Sequence, residues 1–146
     1  MQSDIIITTV AHVIQMAVAP VFLLTGVGAI LTVLTNRLAR IFDRARILEG
    51  RYPTVEKPEQ DRLHVELATL ERRSKLIHWA ISMCTICALL ICIVIATLFA
   101  GAFWAMDISV VIGTLFILAM LALIGGLVGF LREITLATSS VRIGMR

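Results

Sequence analysis

Two groups of side chains have the types and the spacing to do chemistry. Cys84 and Cys87 form a C-x-x-C with Met83 beside them. Soft sulfur ligands at that spacing make redox pairs or bind soft metals. The second group is a stripe: Thr8, His12, Gln15, Ala19, Phe22, Gly26, Ala29, Val33, Asn36 and Arg40 follow one another at intervals of four and three. On a helix that spacing puts them on one face. A polar group in hydrocarbon needs a partner, so His12, Gln15 and Asn36 on one line mark either a face packed on another helix or subunit, or the lining of a pore. In a pore, Asn36 and Arg40 would ring one mouth, Phe22 would be a hydrophobic constriction, and His12 and Gln15 would line the far half. Basic rings favour anions and acidic rings cations, and Asp43 lies one turn from Arg40, so selectivity stays open. An unperturbed His titrates near pH ~6.5, which makes His12 a candidate pH-sensitive group.

The elements that carry these residues follow from composition and charge. The chain of 146 residues is 59% hydrophobic and 16% charged, against roughly 45–50% and about 25% in an average soluble domain. Mean hydropathy is +0.96. Residues 1–35 hold a single charge, Asp4, and residues 79–131 a single charge, Asp107; most of the rest crowd into 36–78. This excludes an ordinary soluble domain, a disordered chain and a disulfide scaffold. It leaves an all-α integral membrane protein with three transmembrane helices, at 10–34, 79–103 and 108–131, since about 20 apolar residues cross a bilayer and only helices satisfy their backbone there. The first run is too long for a signal peptide, and no Lys or Arg precedes it. The Cys pair therefore sits inside the second span. Apolar surroundings disfavour thiolates, so Met83, Cys84 and Cys87 are only a weak metal alternative to buried structural cysteines, and no cofactor is expected.

All thirteen Lys and Arg fall in 36–78 or after the third span. The positive-inside rule makes that side cytoplasmic, with the N-terminus outside and the C-terminus inside. Acids interleave with the bases, which argues against nucleic acid as a partner. Within 35–78, Gly50 suits the position after a helix end, Pro53 lies beyond it, and Pro58 opens the next helix. Leu34, Leu38, Ile41, Ala45 and Leu48 share their spacing with Leu63, Leu67, Leu70, Ser74 and Ile77. Such seams pair. Helices 1 and 2 are therefore expected to extend into a cytoplasmic antiparallel coiled-coil hairpin, Leu48 facing Leu63 and Leu38 facing Ser74. Pro20 interrupts helix 1 as a kink or a hinge. Gly125 and Gly129 form a G-x-x-x-G, with Ala122 and Gly126 as a second small pair, a signal of close helix approach. Asp107 reads as a solvated residue of the 104–107 turn, Trp79, Phe103 and Trp104 as interfacial anchors, and the basic tail 132–146 as resting on the membrane surface.

The segment Thr35-Asn36-Arg37-Leu38-Ala39-Arg40-Ile41-Phe42-Asp43-Arg44-Ala45-Arg46, with Val18-Ala19-Pro20-Val21 upstream, resembles a bacterial membrane family known as domain of unknown function 2721. The resemblance covers most of the chain and is most specific at Asn-Arg-Leu-Ala-Arg. It implies a small multi-span protein of the bacterial inner membrane, with residues 1–9 and 104–107 periplasmic, and supplies no activity. Nothing in the residues suggests an enzyme: no phosphate loop, no His/carboxylate cluster and no nucleophile beside a base. The leading expectation is a homo-oligomer with an ion-conducting pore lined by helix 1, partnered by itself and by membrane lipids. The alternative is a non-conducting scaffold, or a regulatory or accessory subunit, whose hairpin binds a cytoplasmic protein.

Overall fold

A computed structural model of the chain describes residues 2–104 and 108–142, and it is helical throughout apart from the short connections. Helix α1 spans Gln2–Arg51, α2 Lys57–Trp104 and α3 Ser109–Arg142, with a 3-10 turn at Tyr52–Thr54 between the first two. All three are long and apolar enough to cross a membrane. At 1.5 Å per residue α1 is about 75 Å long and α2 about 72 Å, more than twice the roughly 30 Å of hydrocarbon in a bilayer. A large part of each must lie outside it. Asp107 and Arg146 lie outside the described residues, as do the side chains of Phe103 and Trp104.

The helix ends have local causes. Helix α1 continues through Gly50, so that glycine is not the residue after the helix end. Pro53, in the first turn of Tyr52–Thr54, ends the run, because proline has no N–H to continue the ladder. Gln60 then reaches back and donates to the carbonyls of Tyr52 and Val55, at 3.3 and 3.1 Å, which clips the turn to the start of α2. Pro20 lies inside α1 without ending it; the carbonyl four residues earlier loses its donor there, and the helix carries on.

The described chain forms two compact units. One holds residues 1–30 and 83–124, the other 31–82 and 125–146. The first is built on small side chains: its buried residues are Val13, Ala17, Val27, Cys84, Cys87, Ile91, Val94 and Ala119. Lipid is as apolar as a leucine core, so helices in it associate by close packing rather than by the hydrophobic effect, and small residues allow that approach. Its hydroxyls fold back on their own helices, Thr25, Thr97 and Thr114 each donating to a carbonyl four residues before.

The second unit is built on large side chains. Leu34, Ile41 and Leu48 of α1 are buried at intervals of seven, and so are Leu63, Leu70 and Ile77 of α2. Burying a Leu or Ile away from water stabilises by about 1.5–3 kcal/mol, a gain available only where the alternative is water. Helix α3 joins this unit. Helix α3 runs unbroken past its apolar run to Arg142, and Glu133 is fully buried; residues 143–146 of the basic tail lie outside the described residues.

Candidate functional site

The most tightly held chemistry in the molecule surrounds Glu133. Its carboxylate is wholly buried and takes an arginine on each oxygen. Arg37 Nη1 of α1 donates to Oε2 at 2.6 Å. Arg73 of α2 donates to Oε1 from Nη2 at 2.7 Å and from Nε at 3.3 Å. The Arg37 guanidinium also lies 5.3 Å from the centre of the Phe130 ring, a cation–π distance. Three helices thus meet on one carboxylate. A buried charge is tolerated only when paired and hydrogen-bonded, and no buried side-chain N or O atom among the described residues is left without a partner. Arg37, Arg73 and Glu133 line a groove of about 290 Å³, with Arg40 and Arg44 on its rim.

Sequence reasoning missed Glu133, though a signal existed. Along α3 the buried positions are Ala119, Gly126, Gly129 and Glu133. One more step of seven from Ala119 and Gly126 lands on the carboxylate. The glycines clear the way: a Cβ on Gly129 would come within 2.8 Å of the Trp79 ring and 3.4 Å of the Ala80 Cβ. Close approach of α3 to α2 at Gly129 therefore occurs within one chain, one turn before Glu133. Gly125 is half-buried beside it in sequence.

The stripe on α1 has the opposite character. Thr8, His12, Gln15, Ala19, Phe22, Gly26 and Ala29 in the first unit, and Val33, Asn36 and Arg40 in the second, are all exposed. Phe22 is 73% exposed. This face does not pack on α2 or α3. The side chains of His12, Gln15 and Asn36 find no hydrogen-bond partner among the described residues. A Cβ added at Gly26 or Gly28 would meet nothing within 4 Å, so packing within the chain does not require glycine at either position. Arg37 and Arg40, three residues apart, divide the two sites: the first is turned onto Glu133, the second is exposed with Asn36.

Cys84 and Cys87 are fully buried in the first unit and Cys92 is exposed. Met83 is half-buried. Among the described residues no three His, Cys, Asp or Glu side chains converge as a metal site would need.

No curated protein and no solved structure matches the chain. A family match runs over residues 17–143. It takes in Asn36, Arg37, Arg40, Arg73 and Glu133, and begins after His12 and Gln15. The chain belongs to the family described as protein of unknown function DUF2721.

Proposed function

We propose that this protein is a subunit of a homo-oligomer in the bacterial inner membrane, with an ion-conducting pore lined by the α1 stripe. The observation that carries the proposal is the complete exposure of that stripe, with His12, Gln15 and Asn36 lacking a side-chain hydrogen-bond partner among the described residues. Apolar side chains on the flanks of α1, such as Ile14, Val18 and Val21, are exposed too, and lipid covers those at no cost. Lipid offers His and Gln nothing. Copies of α1 arranged about an axis give each polar residue either its counterpart or water. The open space around Gly26 and Gly28 supports the same arrangement, since small residues permit close helix approach between copies.

The orientation rests on the Lys and Arg asymmetry, which puts residues 35–78 and the C-terminus in the cytoplasm. There the arms of α1 and α2 form an antiparallel coiled-coil hairpin. The buried residues at intervals of seven support it, and so does the Arg44–Glu66 ion pair at 2.9 Å. Arg44 lies one turn before Leu48, and Glu66 one turn after Leu63, as the expected register requires. A second reading has its own observation: Phe42, Ile47 and Val65 are 57–69% exposed on these arms, where water rather than lipid surrounds them. They suit a non-conducting scaffold that docks a cytoplasmic protein.

Purified protein in liposomes discriminates between the two. The pore proposal expects ion flux that changes on Gln15→Ala or Asn36→Ala and is indifferent to Phe42→Ser. Absence of flux across voltage and pH, with capture of a soluble protein lost on Phe42→Ser, selects the scaffold.

A further inference from the structure

A second groove in the unit of residues 31–82 and 125–146 lies between α2 and α3. It holds about 470 Å³ and is lined by Arg72, Lys75, Leu76, Arg132, Thr135 and Leu136. That volume is within the roughly 300–1,000 Å³ of sites that hold small molecules. Three of its six lining residues are cations and none is an acid. In the groove beside Glu133, by contrast, two of the four arginines, Arg37 and Arg73, share a buried carboxylate. Among the described residues Lys75 pairs only with Glu71, on its own helix and 68% exposed, at 2.8 Å. The Arg72 and Arg132 side chains make no ion pair among the described residues. Positive charge that is only partly paired is thus concentrated beside Leu76 and Leu136.

The groove also has a fixed depth. The uncharged run of α2 begins at Trp79 and that of α3 ends at Leu131, so Lys75 and Arg132 stand at the edge of the hydrocarbon. Trp79, half exposed and seated over Gly129, is an aromatic residue at the level where headgroups meet acyl chains. Three cations and two leucines in one groove, with an indole at the boundary, suit an amphiphile with an anionic head.

We infer that the Arg72–Lys75–Arg132 groove is a binding site for the phosphate headgroup of an anionic phospholipid from the adjoining leaflet. The guanidinium groups of Arg72 and Arg132 donate to the phosphate oxygens, as arginine does wherever planar, paired donation to phosphate is needed. Lys75 adds a point charge. Leu76, the lining residue nearest Trp79 in sequence, packs against the glycerol and the first acyl carbons. The site does not depend on a pore or on the number of subunits.

The test is a titration of the full-length protein in a mild neutral detergent with phosphatidylglycerol, read by native mass spectrometry. The expected result is saturable retention of one lipid per chain, with phosphatidylcholine retained far less. Arg72→Gln with Arg132→Gln is expected to weaken retention roughly 25-fold, about fivefold for each cation near an anionic head. Arg46→Gln with Arg62→Gln, which removes the same charge from exposed positions of the arms, is expected to leave it unchanged. Unaltered circular dichroism of both double variants excludes misfolding as the cause, and Arg72→Lys with Arg132→Lys recovers part of the binding. Equal weakening by the two double variants would overturn the inference, because the attraction would then be diffuse. So would equal retention of phosphatidylcholine, or displacement of the lipid by inorganic phosphate at matching concentration.

Discussion

In the unit of residues 31–82 and 125–146, the buried polar chemistry closes on itself. Glu133 takes Arg37 and Arg73 on its two oxygens, Ile41 and Leu70 line the same groove, and large residues such as Leu34, Leu48, Leu63 and Ile77 are buried along the arms. In the unit of residues 1–30 and 83–124, the core is made of Ala17, Cys84, Cys87, Ala119 and a few Val and Ile, while His12 and Gln15 are exposed with no hydrogen-bond partner among the described residues. Helix α1 supplies one side of each. The difference teaches where each unit obtains its stability. The unit that holds Glu133 offsets the burial of charge with hydrogen bonds inside the monomer. The unit that holds His12 and Gln15 leaves polar groups for another molecule to satisfy. Substitutions should therefore separate into those that harm the folded monomer and those that harm only its assembly.

The largest expected effect falls on the closed unit. Arg37→Ala with Arg73→Ala strands a fully buried carboxylate, and breaking such a pairing costs about 3–5 kcal/mol. Thermal unfolding in detergent should show a large loss, partly recovered when Glu133→Gln is added. Replacing all three by Met, Met and Leu should be close to neutral, because the desolvation cost of the ions disappears with them. Loss of stability in the triple variant equal to that of the double would contradict the account of the cluster.

The glycines sharpen the contrast. Gly129→Ala drives a methyl group against the Trp79 ring and should destabilise the monomer by about 1–3 kcal/mol. Gly26→Ala meets open space and should leave monomer melting unchanged. If it alters anything, that should be the mass of the detergent complex. His12→Leu and Gln15→Leu should likewise spare the monomer and weaken association, by about 0.6–2 kcal/mol for each interhelical hydrogen bond lost; dilution in detergent followed by crosslinking measures this. The smallest effect is expected at Arg44→Gln, where an exposed pair with Glu66 contributes at most about 1 kcal/mol.

Much of the fold was legible in sequence because it rests on periodicity. Leu34–Leu48 and Leu63–Ile77 announce two apolar seams, and runs without charge announce three spans, each long enough to outweigh local exceptions. The α1 stripe was legible for the same reason, and its exposure is the part that needed coordinates: spacing says that residues share a face, not what the face meets. Glu133 escaped because a lone acid among bases just past an apolar run looks like one more surface charge. Its role depends on Arg37 and Arg73, 96 and 60 residues away in the chain.

The central claim is that the partner of the α1 stripe is the same stripe on another copy. The most direct measurement is disulfide formation in membranes by a single cysteine placed at Ala19, in a chain whose Cys84, Cys87 and Cys92 are replaced by Ala. The account predicts covalent dimers at Ala19→Cys and none at Val128→Cys, an equally exposed position on α3. No crosslinking at Ala19→Cys, together with the detergent-corrected mass of a monomer, would contradict it.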